Sequence, residues 1–268
     1  MGYSATDFQD YASSLFDASN FNDAFACFEA EVSKLGFGGV LYTYIPQVLL
    51  QKGMNVNPVY HVSEDYNPAY MDHYTEARFD QKDPLIDAVK DGVDKPISWW
   101  GDICTQYMDA APEAYEVIET ARHYGINNGV TLPLMSGHAG ISGASFISDE
   151  TSKFGKLLDS RIDDLQLCTK LFHNMVLSNA PYRSEFVKPL VDNLSETEIK
   201  FLVGLVNGKA PGQIACELGL SNGYLEQVMI KLRRKVSGVD PEDSPTINRN
   251  QLLYYAGLLE IMQYSDDE

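Results

Sequence analysis

Residues 66–100 read YNPAYMDHYTEARFDQKDPLIDAVKDGVDKPISWW, and both the fold and the function turn on this stretch. Tyr66, Tyr70 and Tyr74 recur at i, i+4 and i+8, a spacing that places three phenols on one stripe of a helix. The Lys82-Asp83-Pro84 step follows, and proline suits the first turn of a second helix. The pair Trp99-Trp100 closes the segment. Phenols, a carboxylate and an indole drawn from two helices and a loop suit a ligand that is partly apolar and carries amide or carbonyl groups. The local sequence by itself fits a structural alternative better: a tyrosine-rich core stripe, with Asp83 serving as the N-terminal residue of its helix.

Working outward, residues 6–35 read as two amphipathic helices that break near Asn20–Asn22. Residues 40–45 and 59–62 have strand character, and 113–124 is helical with Pro112 suiting its first turn. Val130–Leu134 and Ile141–Ile147 form a predicted hairpin across a Ser136–Gly140 turn, and a long helix follows over 154–177. The pattern predicts an α+β domain over residues 1–178, with an antiparallel sheet between helical layers. Residues 179–193 mix Pro181, Arg183 and Pro189 with short apolar pieces and are expected to be a linker.

Residues 194–268 are expected to form an all-α domain. Ser195 and Glu198 make a capping box for a helix that ends at Asn207-Gly208, Pro211 opens a short helix closed by Gly219, and Ser221 caps a longer one. Two helices, a tight glycine-containing turn and a longer helix follow the helix-turn-helix plan. An acidic, turn-rich insert over 237–247 precedes a last helix, whose Leu252, Leu253, Leu258, Leu259 and Ile261 are a candidate dimer face.

Composition narrows the function classes. The 268 residues are 44% apolar and 22% charged, enough for packed cores rather than disorder. The four cysteines are far apart, without metal-ligand or disulfide spacing. No apolar run approaches membrane-spanning length and the N-terminus is polar, so a cytoplasmic chain without membrane contact is expected. The net charge of −18 is unevenly spread: about −14 over residues 1–193, +2 over 194–236 and −6 beyond. A locally basic module thus sits in an acidic protein. No nucleophile elbow, phosphate loop or clustered histidine appears, so no enzyme and no cofactor is expected.

The C-terminal segment resembles LuxR-family transcriptional regulators through Leu194-Ser195, Glu198, Leu202, Gly208-Lys209, Gln213-Ile214-Ala215, Leu218-Gly219-Leu220-Ser221, Lys235, Asn248-Arg249 and Gln251. The N-terminal segment is similar to the acyl-homoserine-lactone-binding domain of the quorum-sensing branch, where Tyr74, Asp83, Trp99 and Gly129 fall on the most diagnostic positions; Tyr66, Thr131 and Ser145 also fit. The resemblance spans nearly the whole chain. It implies a homodimer that binds an acyl-homoserine lactone or related signal and then a two-fold DNA site. The implied ligand contacts are Tyr66, Tyr70, Tyr74, Asp83, Trp99, Thr131 and Ser145, with Asp83 accepting the amide N–H, Tyr74 donating to the acyl carbonyl, and aliphatic residues around Leu41 and Leu132 burying the acyl chain. On the third helix of the module, Tyr224, Gln227, Lys231, Arg234 and Lys235 are the implied DNA contacts.

Two departures matter. Tyr70 stands where the family has a tryptophan that donates to the lactone carbonyl, so the site suits either an adjusted lactone or a different small ligand. The base-facing half of the third helix is NGYLEQVMI, which carries Glu226 and no base before Lys231. This supports a second reading, an antagonist that pairs with a related LuxR-type regulator and blocks its DNA binding.

Overall fold

The computed structural model describes residues 4–50, 56–148, 153–237 and 247–264. The chain divides into two compact units, one of residues 1–44, 60–137 and 141–182, the other of 45–59, 138–140 and 183–268.

In the first unit, helices α1 (Ala5–Phe16) and α2 (Phe21–Lys34) each start at a side chain that accepts a helix-end N–H: Ser4 from Asp7, and Asn20 from Asp23. Strands β1 (Gly39–Pro46) and β2 (Tyr60–Val62) pair antiparallel, with Leu41 opposite Val62. Helices α3 (Pro68–Glu76) and α4 (Pro84–Lys90) follow, then β3 (Ile97–Ser98), α5 (Asp102–Ala110) and α6 (Ala114–His123). Strands β4 (Gly129–Gly137) and β5 (Gly140–Ile147) lead to the long helix α7 (Phe154–Ser178). The five strands order as β2-β1-β5-β4-β3. This is the expected α+β architecture. Strand β3 and helix α5 were not foreseen, because two residues carry no periodicity and α5 buries only Cys104 and Met108.

Strand alternation divides the side chains between the two faces of the sheet. Tyr42 stands edge-on to Phe172 of α7, and Phe146 does the same to Phe28 of α2, so even-numbered positions of β1 and β5 meet that helical layer. Leu41 and Ile147 join a separate cluster with Tyr66, Tyr70, Tyr74, Trp99, Met108 and Ile118 on the other face. In β4, Thr131 faces the second cluster, since the Trp99 indole donates to it. Leu132 must therefore face the opposite way and is absent from that cluster, which corrects the expectation that it lines the site beside Leu41.

In the second unit, short helices α8 (Ala180–Ser184) and α9 (Lys188–Val191) occupy the stretch expected as a linker, and α8 begins in the first unit's residues. Phe186, Val187, Leu190 and Val191 are buried there. Helix α10 (Glu196–Val206) opens with the expected capping box: Glu198 N–H donates to Ser195 Oγ, and Glu198 Oε2 accepts from the Ser195 N–H at 2.7 Å. Helices α11 (Pro211–Glu217) and α12 (Asn222–Ser237) are joined by a turn in which Gly219 takes φ +65°, open to glycine at little cost. Leu225, Val228, Leu232 and Val236 form the buried stripe of α12. Helix α13 (Arg249–Leu258) carries Leu252, which with Leu259 and Ile261 is buried in this unit. Three of the five residues expected as a dimer face are thus core. Among the described residues, no helix is long and apolar enough to cross a membrane. The acidic positions 240–243 lie outside the described residues.

The edge of the sheet is tight where β3 meets β4. The Trp99 N–H donates to the Gly129 carbonyl at 3.1 Å, and a Cβ on Gly129 would stand 2.5 Å from Trp99 Cδ2. Gly129→Ala is expected to destabilise the protein by about 2–3 kcal/mol through overpacking, read as a lowered midpoint of urea unfolding at unchanged slope.

Candidate functional site

The site is built from two helix starts that face one cluster. Asn67 caps α3 by accepting from the N–H groups of Ala69 and Tyr70, and Pro68 takes the first position. Tyr70, Met71 and Tyr74 form the buried face of α3. Tyr66 precedes the cap, so only two of the three phenols lie on the helix. All three nevertheless enter the same cluster, because Tyr66 at N′ and Met71 at N4 occupy hydrophobic-staple positions.

Asp83 caps α4, accepting the Leu85 N–H on Oδ1 at 2.8 Å. Its other oxygen, Oδ2, accepts the Tyr74 hydroxyl at 2.6 Å. Asp83 is thus the helix cap of the structural alternative, and its second oxygen faces an aromatic cluster. Burial pushes its carboxyl up to about 6, against the opposing pull of the Tyr74 hydroxyl and the N–H groups of Leu85 and Ile86. No ion pair neutralises it among the described residues. Lys82, its neighbour, pairs instead with Glu116.

A second polar chain runs along the sheet. Trp99 Nε1 donates to Thr131 Oγ1 at 3.0 Å, and Thr131 Oγ1 lies 2.8 Å from Ser145 Oγ. All three residues are buried, so Trp99, Thr131 and Ser145 satisfy one another. Each of the seven expected ligand residues therefore falls in, or is hydrogen-bonded to, one region of the first unit.

Two residues there escaped the sequence reading. Tyr60 of β2 stacks edge-on to Tyr74 with centroids 5.4 Å apart, and the Trp100 ring lies under the Arg122 guanidinium at 4.6 Å. Trp100 Nε1 is buried without a hydrogen-bond partner among the described residues, and the Tyr60 hydroxyl is buried beside that of Tyr74. A tyrosine in a three-residue strand gives no signal in sequence, and the second of two adjacent tryptophans is masked by the first.

A chemically mixed, buried cluster with one desolvated carboxylate suits binding of a small amphipathic molecule. The sequence profile of the autoinducer binding domain family matches residues 20–176, which is more than half of the chain and contains every residue of this site. The chain belongs to this family. No curated protein matches the autoinducer-binding chain in sequence. Among solved structures, SdiA of Escherichia coli superposes with a TM-score of 0.55 at 18% identity, covering 96% of this chain and 99% of SdiA. SdiA in complex with octanoyl-rac-glycerol gives 0.53 at 19% identity, covering 97% of each chain. The LuxR-family factor CepR2 of Burkholderia cenocepacia gives 0.46 at 15% identity, covering 65% of this chain and 97% of CepR2. The resemblance to the autoinducer-binding domain read from the sequence therefore stands, and the α+β fold with it.

The residues expected to meet DNA lie on α12 of the second unit. Tyr224, Gln227 and Lys231 are exposed, at i, i+3 and i+7, as is Glu226 between them. Arg234 is half-buried. Lys235 does not project freely: its ammonium pairs with Glu198 Oε2 at 2.7 Å and donates to the Asn193 carbonyl at 2.9 Å. That pairing ties the end of α12 to the capping box of α10, an assignment for Lys235 that the basic run alone did not reveal. Among the described residues, no group of three or more His, Cys, Asp or Glu side chains is placed to hold a metal.

The buried carboxylate has a pH signature. Folding raises the Asp83 pKa, so the folded chain keeps a proton that the unfolded chain releases, and stability falls as pH rises from about 4 to about 6. His61 and His173 act in the opposite sense. Burial holds both near 4, so stability is lost as pH falls from the ordinary imidazole range toward that value. Comparing Asp83→Asn with the parent cancels the histidine contribution. Without ligand, the variant is expected to be more stable by about 1–3 kcal/mol at pH 7.5, with the difference shrinking toward pH 4.5, as measured by urea unfolding.

Proposed function

We propose that this chain is a LuxR-type transcriptional regulator whose N-terminal unit binds an acyl-homoserine lactone or a related acylated signal, and whose C-terminal unit then binds double-stranded DNA as a homodimer. The observation that carries the ligand reading is Asp83, a buried carboxylate with no cation partner among the described residues, held by the Tyr74 hydroxyl within an aromatic and aliphatic cluster. Such a group is costly to the empty fold and becomes useful when a ligand N–H or O–H completes its hydrogen bonding. The ligand's acyl chain belongs against the apolar members of the cluster, Met108, Ile118 and Ile147 among them. SdiA's complex with octanoyl-rac-glycerol supports widening the ligand class from lactones to acylated molecules that offer a polar head.

Helix α12, entered through the Gly219 turn and capped by Ser221, supports the helix-turn-helix reading. Tyr224, Gln227 and Lys231 form its exposed stripe, and Lys231 is the basic residue on it best placed for phosphate contact. Lys235 is removed from the contact set by its pairing with Glu198. The same two features, Glu226 exposed on the reading stripe and Lys235 paired with Glu198, favour the second reading of an antagonist that pairs with a related regulator.

Native mass spectrometry of protein expressed with a mixture of acyl-homoserine lactones tests the ligand reading. A retained small molecule, lost in Asp83→Asn, is the expected result; a stable, empty parent protein would remove the lactone assignment. For the DNA reading, Lys231→Glu is expected to weaken binding about equally across duplex sequences and to reduce the salt slope by about 1. Filter binding at low salt separates the two readings, since the antagonist shows no retention of any duplex on its own.

A further inference from the structure

The charges of α12 are segregated along its length. From Asn222 to Ile230 the only charged residue is Glu226, and Lys231, Arg233, Arg234 and Lys235 follow. Glu226, Ile230 and Arg234 recur at i, i+4 and i+8, so they form one ridge of the helix: acid first, aliphatic in the middle, base last. This ridge lies off the buried stripe. Glu226 is exposed, Arg234 is half-buried, and Ile230 keeps 38% of its surface open to water. A groove of about 260 Å³ borders it, lined by Phe201, Pro211, Asn222, Leu225, Glu226 and Met229.

Glu226 also differs from the other acids of α10, α11 and α12. Glu196 pairs with Lys200, Glu198 with Lys235 and Glu217 with Lys209. Among the described residues, no cation pairs with Glu226.

We infer that this ridge is an interaction surface for a second copy of the chain, bound antiparallel through α12. Reversal about Ile230 exchanges positions 226 and 234. A two-fold contact therefore sets the Glu226 of each copy beside the Arg234 of the other, with the two Ile230 side chains between them. Rows spaced by four residues pack against one another at a crossing angle of about −50°, the commonest helix contact. Charge fixes the direction, because a parallel contact would oppose acid to acid and base to base. Duplex DNA fits this ridge poorly, since its phosphates would meet Glu226. A paired copy also cannot lay α12 in a major groove, because the other copy occupies that side of the helix. The inference goes beyond the ligand and DNA readings and holds or fails without either.

Sedimentation equilibrium of the full-length protein at low salt tests it through a charge swap. Glu226→Arg and Arg234→Glu each bring like charges together, and each is expected to weaken self-association by about tenfold. An equimolar mixture of the two variants is expected to associate as tightly as the parent, because each mixed pair then holds two contacts of opposite charge. Ile230→Ser is expected to weaken association and to gain nothing from mixing with either variant. Salt supplies a readout that needs only the exposed position: added salt is expected to weaken association of the parent and to strengthen that of Glu226→Arg. This arm decides the matter if Arg234→Glu does not fold. A parent that does not self-associate overturns the inference. So does an association that ignores these substitutions, as a dimer held by another face would, or a mixture no tighter than its two components.

Discussion

The first unit depends on a carboxylate kept away from water. Asp83 caps α4 through Oδ1 and receives the Tyr74 hydroxyl on Oδ2, so one side chain sets the start of α4 and fixes its approach to α3. The arrangement carries a desolvation cost that no cation among the described residues offsets, and the hydrogen bonds from Tyr74, Leu85 and Ile86 hold the carboxyl at about 6 rather than higher. A core built for stability alone would place an apolar residue or a neutral cap there. A site built to recognise a donor on an apolar ligand needs the carboxylate, and its cost to the empty protein becomes part of the coupling between ligand binding and stability.

The sheet allows this chemistry by keeping two interiors apart. Period-two alternation sends Tyr42 and Phe146 toward α2 and α7, where Phe28 and Phe172 stack at 4.6 Å, and sends Leu41, Thr131, Ser145 and Ile147 to the ligand side. One interior is aromatic and closed, with His173 held to Tyr42 at 2.9 Å. The other contains the buried carboxylate and the Trp99–Thr131–Ser145 chain. The buried carboxylate thus lies on the face where a ligand can reach it, while the opposite face holds its own polar groups, Ser142 and His173 among them, in hydrogen bonds.

In the second unit, the capping box of α10 does two things. Glu198 closes the helix start and also binds Lys235 near the end of α12, so a residue that reads in sequence as part of a basic run becomes a brace between helices. The exposed stripe of α12 retains Lys231 with Tyr224, Gln227 and Glu226. A reading surface of such low positive charge derives little affinity from phosphate contacts, so selectivity has to come from base contacts or from a partner chain.

Local physics made much of this legible. The caps at Asp83 and Ser195, the strands over 40–45 and 141–147, the helices over 196–237 and the gathering of Tyr66, Tyr70, Tyr74 and Asp83 follow from short-range rules that sequence carries directly. Other features depend on which distant residues meet. The close approach of Gly129 to Trp99, the outward turn of Leu132, the burial of Leu252, Leu259 and Ile261, and the capture of Lys235 by Glu198 are set by sheet register and helix packing. The burial of the Trp100 indole N–H, without a partner among the described residues, belongs with them. A sequence determines which groups are able to donate or accept; only the tertiary structure decides which remain without a partner, because satisfaction depends on atoms brought within about 3 Å from far along the chain.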